Sequence, residues 1–479
     1  MTHWTDEALD DDADDQLDRK RFADRVAELI MRAADDGGSS VFGLISPWGS
    51  GKTTLINFVV DRVGGPWRVV HFTPWAASSI DGLMAEFFAA IVSALPPQGE
   101  ARAKVLGYAK FVLPALGAIP VVGQAAKDTG DAVLNRLEQS KPWNEQFQEA
   151  SDQLSKLQTP VLVVADDIDR LEAEELAAFL KAIRLLGRFP GVHYLLAYDQ
   201  ETLVDVLQGT GVAGSGSQRA LAYLEKIVQY PLTVPPARRV HLERMLDSGV
   251  ADVLRASGHR MDTEAARRFA LAYEDLLAQT MTTVRTIQRF LAQARAYLPL
   301  LEPGEIDVVD LLLLTHLRMH FPNLYKELPG WRAELTGRFN PSRRQKSDRR
   351  EEDWTERVRA VGVPEKLITP VENVLQSMFP AMGGATISRS VGSRGIHDPD
   401  YFGRYFSLGI SDDDIADATV AQALMEAADG VDGRPSLRSL PSSVDLTKNL
   451  VVWEFVRRSI CQMAWKNQRS FHLSNTLPG

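Results

Sequence analysis

At 479 residues, with 45% apolar and 24% charged residues, the chain is too long for one typical core and has the composition of a globular, multi-domain protein rather than a disordered or fibrous one. A formal net charge of -10 argues against a surface devoted to nucleic-acid phosphates, which needs dense Lys/Arg, while leaving room for a local basic patch. The single cysteine, Cys461, excludes an intrachain disulfide and a cysteine-based zinc cluster, and it fits a reduced, cytoplasmic setting.

In chain order, the first 40 residues show no signal-peptide pattern, and the acidic run 10–15 reads as a solvated tail, so that 1–15 stands apart from a domain beginning at 16. Residues 40–45 are a short apolar run that predicts a buried strand. It leads into SPWGSGKTT and then the helical pattern LINFVVDRV. Strand, glycine loop and helix are the context that a phosphate loop requires. Glycine permits positive φ and close approach, so the N–H groups around Gly49, Ser50 and Gly51 can wrap a β-phosphate, with the helix dipole adding to the attraction. The candidate nucleotide-binding residues are Trp48, Gly49, Ser50, Gly51, Lys52, Thr53 and Thr54. In this Walker A arrangement Lys52 reaches the β- and γ-phosphates of ATP, and the Thr53 hydroxyl coordinates Mg2+. Ser46 stands where the pattern begins with glycine, which predicts a slightly strained first turn.

A strand over 67–72 follows, and then a helical, apolar stretch at about 100–145. Within it, residues 111–123 (FVLPALGAIPVVG) have membrane character but fall short of the roughly 20 apolar residues that a crossing helix needs. They predict a buried or partner-facing hairpin, with contact to a membrane surface as the alternative. Residues 161–170 (VLVVADDIDR) supply a buried strand ending in carboxylates: Asp166 to hold the magnesium, and Asp167 to act as general base toward the attacking water. Arg170 either neutralises this cluster or contacts the γ-phosphate. A helix is predicted over 172–187 and a strand over 192–199, whose polar end offers Tyr198 or Asp199 as a γ-phosphate sensor or else a plain turn. With 232–234 as a fifth strand, the alternation predicts a mostly parallel α/β sheet covered by helices on both faces. The span from Lys52 to Asp166 leaves room for an extra strand between the two that carry them.

With these motifs placed, the chain resembles the KAP family of P-loop NTPases, a branch near the STAND and AAA+ ATPases, over roughly residues 14–330. DDQLDRKRFADRVAELI (14–30) is similar to the family's N-terminal helix and the turn before it, near the nucleotide base. WGSGKTT from Trp48 resembles its tryptophan-bearing phosphate loop, VHFTPWAASSIDGL around Trp75 its second-strand motif, and DDIDR from Asp166 its double-aspartate Walker B. YLEKIVQYPLTVPP (223–236) looks like its helix running into a proline-bounded strand; on the residues alone, Leu221, Leu224, Ile227 and Val228 give that helix one buried stripe. A complete site joined to a non-catalytic tail predicts Mg-dependent ATP binding and hydrolysis that drives a conformational switch, and the resemblance implies a context of phage defence. Family members often carry transmembrane helices between the Walker motifs. Here residues 111–123 occupy that place in degenerate form, which favours a soluble protein. By resemblance to the sensor-2 helix of related ATPases, Arg285 in TTVRTIQRFLAQARAYL reaches the phosphates from a lid, with Arg289 one turn on, or a solvated helix face, as alternatives. Arg188 stands where related ATPases carry a finger acting on a neighbouring subunit.

The predicted organisation is an acidic tail (1–15), a P-loop NTPase domain (16–238), a helical lid (239–335), a polar linker (336–354) and an α-helical C-terminal domain (355–479). His316 and His320 are spaced i, i+4, but Leu317 stands where a zinc-protease helix has glutamate. Residues 338–353, with five arginines, are the local candidate for an anionic partner; a solvated linker is the plainer reading. Aromatic-rich segments near Tyr401 and Trp453 predict core-filling helices. A partner protein is expected, homo-oligomerisation is compatible, and nucleic acid is not favoured. The rival readings are a scaffold that holds ATP with negligible turnover and a nucleic-acid-stimulated ATPase.

Overall fold

The computed structural model describes residues 15, 17–35, 37–65, 67–76, 79–117, 143–157, 159–186, 189–210, 216–337, 347–383, 394–410 and 414–428. The chain divides into two compact units, Thr5–Arg238 and, with Met1–Trp4, Arg239–Gly479. Arg188, most of the acidic tail, residues 338–346 of the linker and the segment around Trp453 lie outside the described residues.

In the first unit five strands form one sheet: β1 (Val41–Ile45), β2 (Arg68–Phe72), β3 (Val161–Ala165), β4 (Val192–Tyr198) and β5 (Tyr230–Thr233), in the order β2-β3-β4-β1-β5. Every pairing is parallel. The three inner strands are almost wholly apolar and buried on both faces, as parallel strands under two helical layers require, with His193 the buried polar exception in β4. Pro231 donates no ladder hydrogen bond, and it sits in β5 at the sheet edge where that costs least. A strand does lie between the phosphate-loop strand and the aspartate strand, but it is β4, which follows Asp166 in the chain; the span from Lys52 to Asp166 supplies β2 instead, at the sheet edge.

Alternation along the strands sorts the core. Phe42, Leu44, Leu162, Val164, Leu195 and Ala197 pack with α1 (Lys20–Asp35) and α2 (Lys52–Val63). On the opposite face, Val161, Val163, Tyr194 and Leu196 pack with α3 (Ile80–Ala94), α4 (Glu100–Gly117), α5 (Trp143–Leu154), α6 (Ala173–Leu186), α7 (Gln200–Gln208) and α8 (Ser217–Glu225). Helix α8 ends at Glu225, so Ile227 and Val228 of the expected stripe lie in the turn leading to β5, where both are still buried. Residues 111–117 continue α4 instead of opening a hairpin, and 118–123 lie outside the described residues. Among the described residues no helix is long and apolar enough to cross a membrane. Asp15, assigned by sequence to the tail, is structural: its carboxylate accepts the N–H groups of Leu17, Arg19 and Lys20 ahead of α1.

The second unit is helical among its described residues. The helices Arg239–Ser257, Thr263–Ala272 and Val284–Tyr297, from the region read as a lid, share this unit with Val308–His320, Ser347–Ala360, Ile368–Met378, Phe402–Ser407 and Asp417–Ala428. Tyr401, Phe402 and Tyr405 are buried, which makes this aromatic segment core. Beside it Arg404, 3% exposed, is held by Glu305 at 2.6 Å, Asp414 at 2.6 Å and Asp417 at 3.5 Å, over the Tyr401 ring. Arg394 also binds Asp417 at 2.6 Å, and the Tyr401 hydroxyl donates to the same carboxylate at 2.8 Å.

This packing sets two expectations for stability. Removing one member of a buried ion network strands the others, so Arg404→Met is expected to lose about 3–5 kcal/mol in urea denaturation. In β1, a Cβ on Gly43 would lie 2.7 Å from Val228 Cγ1 and 2.9 Å from the Tyr198 hydroxyl. Gly43→Ala is therefore expected to cost about 1–3 kcal/mol by overpacking, and an unchanged midpoint would contradict the geometry.

Candidate active site

All five strands are parallel, so their C-terminal ends share one edge of the sheet, and that edge is where open α/β sheets bind ligands. The loop 46–51 leaves β1 there, Trp75 follows β2, Asp166 to Arg170 follow β3, and Asp199 follows β4.

The phosphate loop has the backbone its glycines predict. Gly49 has φ 77° and Gly51 has φ 88°, values at which a side chain is strained, and Gly51 turns directly into α2. Ser46 does not share this conformation. The strain expected from serine at the first position of the motif is therefore absent: no positive φ is needed there, and its hydroxyl lies 2.7 Å from that of Ser50. The Ser50 hydroxyl also meets the Pro47 carbonyl at 2.6 Å, and the Ser46 N–H donates to the Tyr198 carbonyl at 3.2 Å. Lys52 is buried, with Nζ donating to the Ser46 carbonyl at 3.0 Å, so the ammonium sits beneath the loop it follows. Thr54 is partly buried in the first turn of α2.

The two motifs meet. Thr53 Oγ1 donates to Asp166 Oδ2 at 2.6 Å, and Asp166 Oδ1 accepts the Asp167 N–H at 2.9 Å. Thr53 hydroxyl and Asp166 carboxylate form an all-oxygen, partly anionic donor set, which suits a hard divalent cation such as magnesium. Asp167 adopts the left-handed conformation at φ 56°, and its carboxylate pairs with Arg170 at 2.6 Å. Of the two roles read for Arg170, this contact is the one described as neutralisation.

The sensor candidates separate. Tyr198 is a buried core residue in register with Ile45, its hydroxyl directed toward Gly43 rather than the loop, and burial pushes its phenol up to about 12. That removes it as a γ-phosphate sensor. Asp199 lies outside the strand as the N-cap of α7: Oδ1 accepts the N–H groups of Glu201 and Thr202. Its other oxygen accepts the Trp48 N–H at 3.1 Å, so it grips the phosphate loop. Arg285 is half-buried in the first turn of the helix Val284–Tyr297 of the other unit, within its Thr283–Thr286 capping box, and Arg289 is exposed one turn on. His316 and His320 belong to that unit as well, their rings 4.7 Å apart, with His316 Nε2 against the Thr280 hydroxyl at 2.7 Å.

Two buried charged residues of this unit, Asp169 beside this machinery and Arg19 ahead of α1, are not legible as such in the sequence. Asp169 is only 8% exposed and its Oδ1 has no hydrogen-bond partner, although it falls in a loop of acidic residues that reads as solvated. Burial raises its carboxyl, with Lys52 and backbone hydrogen bonds opposing the rise. Arg19, ahead of α1, is 7% exposed with neither terminal nitrogen paired, and burial lowers its basicity against the pull of Asp15. An arginine opening an amphipathic helix gives no sign of burial in the sequence.

A parallel sheet of this order, a glycine loop opening a helix at its C-terminal edge and a carboxylate on the strand two places away define the P-loop NTPase fold. The KAP family P-loop domain matches residues 19–300, more than half of the chain, and the chain belongs to that family. It is similar to the phage T7 exclusion protein of Escherichia coli (strain K12), with 24% identity over 358 residues. That alignment covers 67% of this chain and 46% of the relative, so the chain spans about half the relative's length. Among solved structures it is similar to the Aeropyrum pernix ORC2 protein in ADPNP-ADP complexes (14% identity, 82% of this chain and 87% of the other, TM-score 0.29). It is also similar to the Aeropyrum pernix ORC1 protein in complex with DNA (15% identity, 76% and 94%, TM-score 0.29). Similarity at that TM-score carries no argument by itself.

The buried Asp169 generates a prediction about pH. A carboxyl raised by folding lends stability that is complete below its unfolded value and is lost as pH rises through the folded one. Asp169→Asn is therefore expected to be more stable than the natural chain near neutrality and to lose that advantage in acid. Denaturant midpoints of both proteins across the acid range check this; a less stable variant at neutral pH would contradict it.

Proposed function

We propose that this chain binds MgATP in the phosphate loop and hydrolyses it, and that the cycle drives a conformational change read by the helical unit or by a partner protein. The observation that carries the reading is the 2.6 Å contact between Thr53 and Asp166, which joins the two halves of a cation site across the sheet edge. Magnesium, when bound, would be held by Thr53 and Asp166 and would neutralise charge on the β- and γ-phosphates. The chain's own residues divide the remaining work. The N–H groups of the loop from Gly49 to Thr54 receive the phosphates while the Trp48 N–H stays on Asp199, Lys52 moves from its carbonyl partner to the anionic oxygens, and Asp167 orients a water and takes its proton. Arg285 is proposed as the phosphate contact from the lid.

The similarity to a phage exclusion protein supports a role in antiviral defence, and the cytoplasm is the setting proposed for it. A second reading, an ATP-holding scaffold with negligible turnover, follows if the Asp167–Arg170 ion pair withholds the carboxylate from water instead of positioning it.

Mg-dependent ATP hydrolysis by the full chain, measured over a range of protein concentrations, separates the two. Lys52→Ala is expected to lose ATP binding, and Asp167→Asn to retain binding while turnover falls by about 10²- to 10⁴-fold. Turnover that persists in Lys52→Ala protein would end the hydrolysis reading, and binding without turnover in the natural chain would select the scaffold. A rise in activity with protein concentration would indicate assembly of copies; stimulation by DNA would revive the nucleic-acid-dependent alternative.

A further inference from the structure

Arg170 ends the 3-10 turn Ile168–Arg170 that follows Asp167. Its guanidinium carbon lies 5.0 Å from the centre of the Trp48 ring and 5.7 Å from that of Trp75, and a terminal nitrogen is 2.6 Å from Asp167 Oδ2. Three segments far apart in sequence, the loops after β1, β2 and β3, thus converge on one side chain. Trp48 and Trp75 are 54% and 53% exposed, so core packing does not account for where they stand. Asp167 holds a left-handed backbone, which a residue with a side chain rarely adopts and which persists where its surroundings fix it.

We propose that Arg170 is the positioning residue for the hydrolytic carboxylate: the Trp48 and Trp75 rings clasp its guanidinium, the guanidinium holds Asp167, and the placement of the phosphate loop is thereby passed to Asp167. The proposal rests on the hydrolysis reading for its role in turnover, while the clasp itself is testable without it. Aromatic faces hold a guanidinium through its π surface, which leaves the in-plane N–H donors for a carboxylate. Lysine supplies charge without the planar fork, so it reproduces attraction to Asp167 but not the clasp. Trp48 is the member that belongs to the phosphate loop, and its own N–H donates to Asp199 at 3.1 Å, which fixes the loop end of the clasp.

The test uses the full chain carrying Arg170→Gln, Arg170→Lys, or Trp48→Ala with Trp75→Ala, with MgATP turnover and ATP affinity measured separately. Loss of orientation is expected to lower kcat by about 10- to 100-fold in Arg170→Gln while ATP affinity is held, with only partial recovery in Arg170→Lys. The double tryptophan variant is expected to lose kcat as well, and adding Arg170→Gln to it to cost little more, because the three residues act as one unit. Unchanged kcat in Arg170→Gln, or additive losses, would overturn the proposal. Tryptophan emission probes the clasp even where the natural chain shows no turnover. Asp167→Asn, which weakens the hold on Arg170, is expected to shift emission in the natural background and not in the double tryptophan variant; the same response in both would overturn the clasp, whereas absent turnover with the expected emission result would count against hydrolysis alone.

Discussion

The position of β4 between β1 and β3 sets the scale on which the site is built. Neighbouring strands lie about 4.8 Å apart, so the loop leaving β1 and the carboxylates leaving β3 start roughly 10 Å from each other. That gap admits phosphates and a cation, and one helical turn of side chains can still close it, as Thr53 does when it reaches Asp166. The strand in the middle is not a passive spacer: its C-terminal residue presents the carbonyl that receives the Ser46 N–H, and the next residue, Asp199, holds the loop. Burial of all seven β4 residues fixes its register, and through it the register of both site-bearing strands.

What the sequence made legible was contiguous. An apolar run followed by GSGKTT and a helical pattern specifies its own conformation, since glycine φ, the helix start and strand burial are local consequences of local residues. The same holds for VLVVADD. The less legible features depend on residues brought together from distant positions. Asp199 meets Trp48 across 151 positions, and Arg404 meets Glu305 across 99. No periodicity encodes such contacts. Ser46 shows the opposite failure: comparison with a glycine-led pattern suggested strain, but the first position of this loop needs no unusual φ, so serine fits and adds a hydroxyl contact. Tyr198 looked like a strand-end residue with a polar tip. Side-chain alternation turned it toward α-helical packing, where its hydroxyl serves the interior.

The two units use different means of internal cohesion. The sheet unit is held by two apolar layers sorted by strand alternation, with the buried charges Lys52 and Asp169 at the site edge and Arg19 ahead of α1. In the helical unit, buried charge lies within the packing: Glu305, Arg404 and Asp417 are each nearly inaccessible, and Arg268 pairs with Asp307 at 2.8 Å and with the buried Asp310. Ion pairs of this kind add little stability over apolar packing, but they tolerate few alternative arrangements because each charge must find its partner.

The shared carboxylate of Asp199 has a mechanical consequence. One oxygen serves the start of α7 and the other the backbone of Trp48, so releasing the loop leaves the helix cap intact. Opening at this point exposes one carboxylate oxygen and one N–H to water at the rim, which costs on the order of 1 kcal/mol, whereas unfolding the cap as well would add a comparable amount. The loop is thus tied to the start of α7 through one carboxylate oxygen, apart from its Ser46 bond to β4 and the Trp48 contact with Arg170, and breaking that tie leaves the helix that anchors it undisturbed.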